Sequence, residues 1–170
     1  HRLRALADAL VIGAGTVRAD DPQLTTREVP GLSPVRVVCD TDRRLDGTQR
    51  LFRGGPPTLL LCAEDARAAS VPPGIQVQRL PRAGRGLSIP AVLACLAERG
   101  LRRIYVEGGG ITVSRFLAAG ALDRLHVTVA PLLLGSGIPA FTLPEAVVPT
   151  DGLRLTWSTY PLGDDLLLDI

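Results

Sequence analysis

The sequence contains no methionine and only two histidines, His1 and His126. Because protein metal sites draw on clustered histidine, cysteine and carboxylate ligands, this composition predicts no metal site. Cys39, Cys62 and Cys95 lie far apart, each inside an apolar run. That spacing is typical of buried thiols in a reducing compartment rather than of disulfides, so we expect a cytoplasmic protein.

Long hydrophobic segments are also absent. The longest apolar runs, at 58–62 and 165–170, are far shorter than the roughly 20 residues that a membrane-spanning helix needs. Aromatic residues make up only 4% of the chain, the formal net charge is +2, and the arginines form no basic run interleaved with aromatics. These features argue against a membrane or nucleic-acid partner.

The apolar content is nevertheless high enough for one substantial core. A hydrophobic fraction of 46% in 170 residues fits a single domain covering residues 1–170. Apolar runs bounded by turn residues alternate with helical patterns, and several runs are apolar on both faces, as in the strands of a covered parallel sheet. The candidate strands are residues 8–13, 35–40, 57–62, 75–80, 103–108 and 124–131.

Helical patterns separate the later strands. Apolar residues recur with helical spacing over 89–96, with Ser88 placed as N-cap and Gly100 just past the end. A second helical pattern follows the glycines of 108–110, and residues 153–170 predict two antiparallel strands joined by the turn PLGD. The chain therefore predicts an α/β fold, with a mostly parallel central sheet flanked by helices and an antiparallel C-terminal hairpin.

Residues 104–117 read IYVEGGGITVSRFL, in which an acid and three glycines separate a strand from a helix. Ligands of open α/β sheets bind at the carboxyl ends of strands, where helix N-termini favour anions. Because glycines let the backbone approach a ligand closely, residues 108–110 predict a phosphate cradle. Glu107 would repel a phosphate, so we expect it to face a hydroxyl-bearing ligand. The alternative is a flexible connection in which one glycine is needed only for packing.

A second loop, GAGTVRADDPQLTTR at 13–27, follows another strand candidate. Gly13 and Gly15 match half of the G-x-G-x-x-G dinucleotide fingerprint, but Arg18 replaces the third glycine. The match alone is weak, and the acidic pair followed by proline also reads as a turn or helix stop.

A third loop, CDTDRR at 39–44, ends the next strand candidate. Thr41 with Arg43 and Arg44 suits the 2′-phosphate of a dinucleotide, whereas a solvated turn with surface charges explains the same residues. If the strands before the three loops are parallel, all three loops lie at one edge of the sheet, as dinucleotide binding requires.

The stretches DALVIGAGTVRADDPQLTTR, PVRVVCD, IYVEGGG and LDRLHVTVAPLLLGSG together resemble the reductase domain of bacterial riboflavin biosynthesis, the C-terminal half of a bifunctional deaminase/reductase. The match is collinear over most of the chain, and TVRADDPxLTxR combined with VEGGG is more specific than either glycine cluster. The resemblance implies a dihydrofolate-reductase-like fold. It also implies NADPH-dependent reduction of the ribosyl group of 5-amino-6-(5-phosphoribosylamino)uracil to the ribityl product.

Carried over position by position, the resemblance implies ligand contacts but identifies no catalytic residue. NADPH is expected to contact Thr16, Asp20, Thr41, Gly109, Gly110, Ile111, Thr112, Val113, Ser114 and Arg115. The substrate is expected to contact Arg4, Leu24, Arg27 and Glu107, with the arginines suited to its 5-phosphate and the acid to its ribosyl hydroxyls. The implied reaction is direct hydride transfer from nicotinamide C4 to the ring-opened ribose C1, in which positioning does most of the catalytic work.

The resemblance is incomplete at the N-terminus. Family members have a first strand and a Ser/Asp/Gly/Lys segment ahead of the residues present here. Since the chain also lacks methionine and any leader-like segment, we expect it to be part of a longer protein. The zinc-containing deaminase half is absent, so no deamination is expected. Because 124–131 and the terminal hairpin are apolar for elements near a sheet edge, we expect a homodimer.

Two other functions remain open. One is a related reductase of the same fold that acts on a diaminopyrimidine or on a pterin such as dihydrofolate. The other is a non-catalytic nucleotide-binding or dimerisation module. Arg4 and Arg27 favour the phosphorylated pyrimidine, because a pterin lacks the phosphate that they would bind, and NADPH oxidation separates both reductases from the module.

Overall fold

The computed structural model describes residues 1–170, the side chain of Pro149 excepted. The helices are α1 (Arg2–Leu6), α2 (Ala14–Asp20), α3 (Ile89–Glu98) and α4 (Gly110–Ala118). The strands are β1 (Ala9–Gly13), β2 (Val35–Cys39), β3 (Thr58–Ala63), β4 (Gln76–Leu80), β5 (Arg82–Ala83), β6 (Gly86–Leu87), β7 (Ile104–Val106), β8 (His126–Val129), β9 (Ser158–Leu162) and β10 (Asp165–Asp169).

The central sheet has five parallel strands in the order β4, β3, β2, β1, β7. Every residue of β1 and β3 is buried, which explains why these runs are apolar on both faces. One face packs against α3 and α4 through residues such as Val92 and Phe116. The other face is covered by Val17 of α2 and by Leu24, Leu51 and Phe52, which lie outside the four α-helices. The predicted parallel sheet with two covered faces is confirmed.

Helix α3 forms where the apolar spacing predicts it. The Ser88 hydroxyl accepts a hydrogen bond from the Ala91 amide, and Pro90 lies in the first turn, where its missing amide proton costs nothing. Gly100 follows the helix with φ at +74°, a value that side-chain-bearing residues rarely adopt. Among the described residues, no helix is long and apolar enough to cross a membrane.

The C-terminal strands form a separate antiparallel sheet in the order β8, β10, β9. The predicted hairpin is confirmed, but β9 covers 158–162 instead of 153–160. The ladder continues through Pro161 and Leu162 because the turn needs only Gly163, with φ at +65°, and Asp164. Pro161 is tolerated because β9 pairs on one side only and so lies at the edge of the sheet.

A short hairpin is the main element that the sequence did not predict. Residues 81–86 are rich in proline and glycine and therefore read as a loop, yet β5 and β6 pair there through Arg82 with Leu87 and Ala83 with Gly86. Two-residue strands are too short to produce an alternating pattern, so the sequence contains no periodic signal for them.

The start of the central sheet is held by the carboxylate of Asp8. It accepts hydrogen bonds from the backbone amide of Arg103 (2.8 Å), from the guanidinium of Arg103 (2.9 Å) and from the amide of Arg102 (3.0 Å). These hydrogen bonds lower the pKa of Asp8 from 3.8 to about 2. The ionised carboxylate therefore fastens β1 to the residues that lead into β7.

We expect Asp8→Asn to destabilise the protein at neutral pH but not in acid. Because the pKa of Asp8 is lower in the folded state, its stabilisation is complete above about pH 4 and is lost as the pH falls toward 2. The urea midpoints of the wild-type and Asp8→Asn proteins should differ at neutral pH and converge as the pH falls toward 2. Asp123→Asn is the control, since the Asp123 carboxylate accepts no hydrogen bond from the described residues. A constant difference at every pH would contradict the assignment.

Candidate functional site

A cavity of about 680 Å³ opens at the carboxyl ends of β1, β2 and β7. Its wall includes Thr16 from α2, which directly follows β1, Thr41 from the loop after β2, and Glu107 from the loop after β7. The three strands are adjacent and parallel, so their following loops meet at one edge of the sheet. The predicted convergence of these loops is confirmed.

Most of the predicted ligand contacts lie in the wall of this cavity. Those that line it are Thr16, Asp20, Leu24, Thr41, Glu107, Gly109, Gly110, Ile111, Thr112 and Arg115. Arg4, Arg27, Val113 and Ser114 lie outside the wall. The location of these residues is thereby established, while their contacts with ligands stay predictions.

Helices α2 and α4 begin side by side at this cavity. The hydroxyl of Thr16 accepts a hydrogen bond from the Gly109 amide at 3.0 Å. A Cβ on Gly13 would lie only 2.3 Å from Oγ1 of Thr112, so the absent side chain is what lets the two helix starts meet. Gly108 adopts φ at +150°, which also favours glycine.

The first turn of α4 presents two free amides. The backbone N–H groups of Gly110 and Ile111 donate to no group among the described residues. They lie at the positive end of the helix dipole, where an anion is favoured. A Cβ on Gly110 would lie 2.6 Å from the carbonyl oxygens of Pro139 and Ala140, so this glycine also serves packing. Gly110 thus meets a packing requirement, and the binding of a phosphate by its amide stays a prediction.

The hydroxyl of Ser114 has a structural partner. It is buried and accepts a hydrogen bond from the Thr142 amide at 2.7 Å. This contact fastens the segment around 139–142 over the start of α4. Ser114 therefore does not line the cavity itself but holds Thr142, which does.

Glu107 forms an ion pair with Arg4 of α1. The Arg4 Nε donates to Oε2 of Glu107 at 2.7 Å, and Nη2 donates to Oε1, so the pair is bidentate. The remaining guanidinium nitrogen donates to the Thr25 carbonyl oxygen at 3.1 Å. Hydrogen bonding to Glu107 raises the pKa of Arg4. The two residues that the resemblance assigns to phosphate and hydroxyls of the substrate are thus bound to each other.

The loop after β2 is organised by the buried carboxylate of Asp40. It accepts hydrogen bonds from the amides of Arg44 and Leu45, both at 2.9 Å. Thr41 and Arg44 line the cavity. Arg43 does not, because its buried guanidinium donates to the Ala69 carbonyl at 2.7 Å. The expectation that Arg43 faces a ligand phosphate is therefore wrong, and Arg44 is the arginine that this loop presents.

Several wall residues were not found by sequence reasoning. Arg85 and Leu87 come from the β5–β6 hairpin, and Ile138 and Pro139 come from the segment after β8. Cys39 also lies in the wall, where burial raises the pKa of its thiol to about 12. That thiol stays protonated at neutral pH and is a poor nucleophile.

Comparison with known proteins places this geometry in a family. The sequence model of the RibD C-terminal domain family matches residues 1–165 of this chain. A 2,5-diamino-6-ribosylamino-4(3H)-pyrimidinone 5′-phosphate reductase from Methanothermobacter thermautotrophicus is 33% identical, over 99% of this chain and 82% of its own length. The riboflavin biosynthesis protein RibD of Mycobacterium tuberculosis is 33% identical over 100% of this chain, which spans 44% of that protein.

A solved structure confirms the predicted dihydrofolate-reductase-like fold class. The chain superimposes with a TM-score of 0.79 and 26% identity on a diaminohydroxyphosphoribosylaminopyrimidine deaminase/5-amino-6-(5-phosphoribosylamino)uracil reductase from Thermotoga maritima. The match covers 99% of this chain and 46% of that one. The chain thus spans about half the length of the bifunctional proteins that it matches.

We expect Gly13→Ala to destabilise the protein and Gly15→Ala to be neutral or stabilising. The added methyl at position 13 meets Thr112, and such overpacking costs about 1 to 3 kcal/mol. Nothing lies within 4 Å of a Cβ at position 15, where alanine favours α2 by about 0.5 to 1 kcal/mol. Urea unfolding measures both changes. Thr112→Ala should reduce the cost of Gly13→Ala, and purely additive effects would contradict the contact.

Proposed function

Since the chain belongs to the RibD C-terminal domain family, we propose that it is an NADPH-dependent oxidoreductase of riboflavin biosynthesis. Its substrate is 5-amino-6-(5-phosphoribosylamino)uracil, whose ribosyl group is reduced to ribityl. This proposal is supported by the way in which the segments after β1, β2 and β7, three adjacent parallel strands, line the same cavity. The free cysteines, which form no disulfide, support a reducing, cytoplasmic location.

The cavity suits a dinucleotide phosphate. The free amides of Gly110 and Ile111, at the positive end of α4, would hold the pyrophosphate. Thr41 and Arg44, on the loop after β2, would face the adenosine end, where the arginine favours a 2′-phosphate. Thr16 holds the glycine loop by its hydrogen bond to Gly109. The bound cofactor would supply a hydride to the substrate carbon.

The substrate region lies around Glu107. Its carboxylate has acceptor capacity beyond the two hydrogen bonds from Arg4, since an ionised carboxylate offers about four lone-pair sites. Glu107 would accept hydrogen bonds from ribosyl hydroxyls, and Leu24 would pack against the substrate. Arg27 is exposed, and its only ion pair is with the adjacent Glu28 among the described residues, so its guanidinium is accessible to a phosphate. These residues orient the sugar, and orientation supplies much of the rate of a hydride transfer.

A second candidate substrate is 2,5-diamino-6-ribosylamino-4(3H)-pyrimidinone 5′-phosphate. Relatives from Methanothermobacter thermautotrophicus and Archaeoglobus fulgidus are both named as reductases of this compound. The two pyrimidines share the phosphoribosylamino group and differ in the ring substituent. The residues proposed above to bind sugar and phosphate serve either compound, so discrimination would depend on contacts to the ring.

The reaction is tested by following NADPH oxidation with purified protein and each compound. We expect oxidation with the uracil compound, less with the diaminopyrimidinone, and none with dihydrofolate, which lacks the ribose phosphate. NADH should serve less well than NADPH, by about 1.5 to 3 kcal/mol if Arg44 binds the 2′-phosphate. Preference for the diaminopyrimidinone would establish the second candidate. Binding of NADPH without oxidation with any compound would favour a non-catalytic module.

We expect substitutions at Glu107 and Gly109 to fail differently. Glu107→Gln removes the charge and should lower turnover by about 10- to 100-fold, while the Kd for NADPH hardly changes. Gly109→Val places a branched side chain beside Thr16, since even a Cβ there lies 3.0 Å from its hydroxyl, and should abolish NADPH binding. Fluorescence titration and steady-state kinetics measure the two effects.

The control for charge is Glu98→Gln, at the exposed end of α3, which should change neither quantity. Equal weakening of NADPH binding by Glu107→Gln and Gly109→Val would contradict the division between substrate and cofactor residues.

A homodimer is proposed from the C-terminal sheet. Val129 and Leu166 are paired across β8 and β10, and both are exposed. Pro161 of β9 pairs with Leu166 and is exposed on the same face, whereas Tyr160 and Leu162 pair with Leu167 and Asp165 and so lie on the opposite face. A cluster of exposed apolar side chains on one small sheet is typical of an interaction surface, and a second copy of the chain would cover it.

Light scattering should give a dimer mass for the wild-type protein at micromolar concentration. Leu166→Lys should shift the mass toward the monomer, because it places a charge within the proposed interface. Leu32→Lys is the control, since Leu32 is 88% exposed on a loop away from this sheet. A monomeric wild-type protein, or an unchanged dimer in Leu166→Lys, would contradict the proposed interface.

A further inference from the structure

The β5–β6 hairpin contributes an arginine to the wall of the cavity. Arg85 lies in the two-residue turn between Ala83 and Gly86, next to Gly84, whose φ is +57°. Its side chain lines the same cavity as Thr41 and Arg44. Among the described residues, Arg85 has no hydrogen-bond or ion-pair partner. The guanidinium is therefore available to a ligand.

Two other arginines fix the hairpin in place. Arg115 of α4 donates to the carbonyl oxygens of Leu87 at 2.7 Å and of Ala83 at 3.1 Å. A Cβ on Gly86 would lie 1.4 Å from the Arg115 guanidinium, so only glycine permits this approach. The hairpin is thus fastened to the same helix whose first turn presents the free amides.

Arg82 fastens the other side of the hairpin to the loop after β2. It donates to the carboxylate of Asp42 at 3.0 Å and to that of Asp65 at 2.9 Å. Asp42 directly follows Thr41, so the ion pair joins the hairpin to the loop that presents Thr41 and Arg44. The hairpin that bears Arg85 is consequently bound both to α4 and to the loop after β2.

At this end of the cavity three arginines, Arg44, Arg82 and Arg85, accompany two carboxylates, Asp42 and Asp65. The carboxylates of Asp42 and Asp65 are bound by Arg82, and Arg44 reaches Asp42 only at 3.9 Å. Asp40 is directed into the backbone amides of its own loop. Arg44 therefore has only this long contact and Arg85 has no ion-pair partner among the described residues, and the two guanidiniums belong to separate elements that line one cavity.

We propose that Arg85, together with Arg44, binds the 2′-phosphate of the cofactor's adenosine ribose and so determines the preference for NADPH over NADH. This inference rests on the proposed function, because it assigns a residue to the cofactor of that reaction. It assigns Arg115 a positioning role, in which its guanidinium holds the hairpin. Two arginines from different elements suit a doubly charged phosphate, which offers several acceptor oxygens.

The test compares Arg85→Gln with the wild-type protein in titrations of NADPH, NADH, 2′,5′-ADP and 5′-AMP. The Kd of the two 2′-phosphorylated ligands should rise by about 10- to 100-fold, while the Kd of NADH and 5′-AMP should stay within about twofold. Arg102→Gln is the matched control. Arg102 is exposed ahead of β7, at the opposite end of the sheet, so this variant removes the same charge without altering the cavity.

Equal weakening of all four ligands, no weakening of any, or an equal effect of Arg102→Gln would overturn the assignment. A wild-type protein that binds NADPH and NADH equally would overturn it too. In that case, oxidation of either cofactor with the pyrimidine substrate would leave the proposed reduction standing. Arg85→Lys should recover part of the NADPH affinity, because it restores the charge without the second donor nitrogen.

Discussion

The parallel pairing of β1 with both of its neighbours determines where the segments after β1, β2 and β7 meet. Ala9 is in register with Val35 of β2 and with Ile104 of β7, so the three strands end at the same side of the sheet. Antiparallel pairing would send one of the loops to the opposite edge and divide the cavity. Because β1 is buried along its whole length, a one-residue shift would also exchange its two core faces. The core therefore fixes the register, and the register brings the loops together.

Four glycines in or beside the cavity wall meet different steric requirements. Gly13 makes room for Thr112, and Gly86 makes room for the guanidinium of Arg115. Gly108 supplies an unusual backbone angle, and Gly110 admits the backbone of residues 139–140. With these contacts in place, the amides of Gly110 and Ile111 at the start of α4 have no acceptor among the described residues. The glycines here thus serve packing rather than flexibility, and the proposed phosphate binding uses the amides that this packing leaves free.

The buried parts of the fold could be predicted from sequence, whereas contacts between distant polar groups could not. The inner strands are continuous apolar runs, and α3 has a periodic apolar face with a serine cap, so each is specified by local residues. The positions of the three loops follow from their strands. In contrast, β5 and β6 are two residues each, and Arg85 reaches the cavity only because Arg82 and Arg115 hold that hairpin. No sequence pattern encodes those long-range ion pairs and carbonyl contacts.

The ion pair of Glu107 with Arg4 explains how an acid can lie beside the N-terminus of α4, where an anion is favoured. An unpaired Glu107 carboxylate would oppose any phosphate at the start of α4. Its bidentate pair with Arg4 cancels that charge locally, and the partly buried position limits screening by water. In the region of Arg44 and Arg85, Asp42 is shared between Arg82 and Arg44, and Arg85 has no ion-pair partner among the described residues. A neutral centre beside an arginine without a carboxylate partner is the charge arrangement that the proposed binding of a hydroxyl-rich sugar and an anionic nucleotide in one cavity requires, and neither a uniformly acidic nor a uniformly basic wall would provide it.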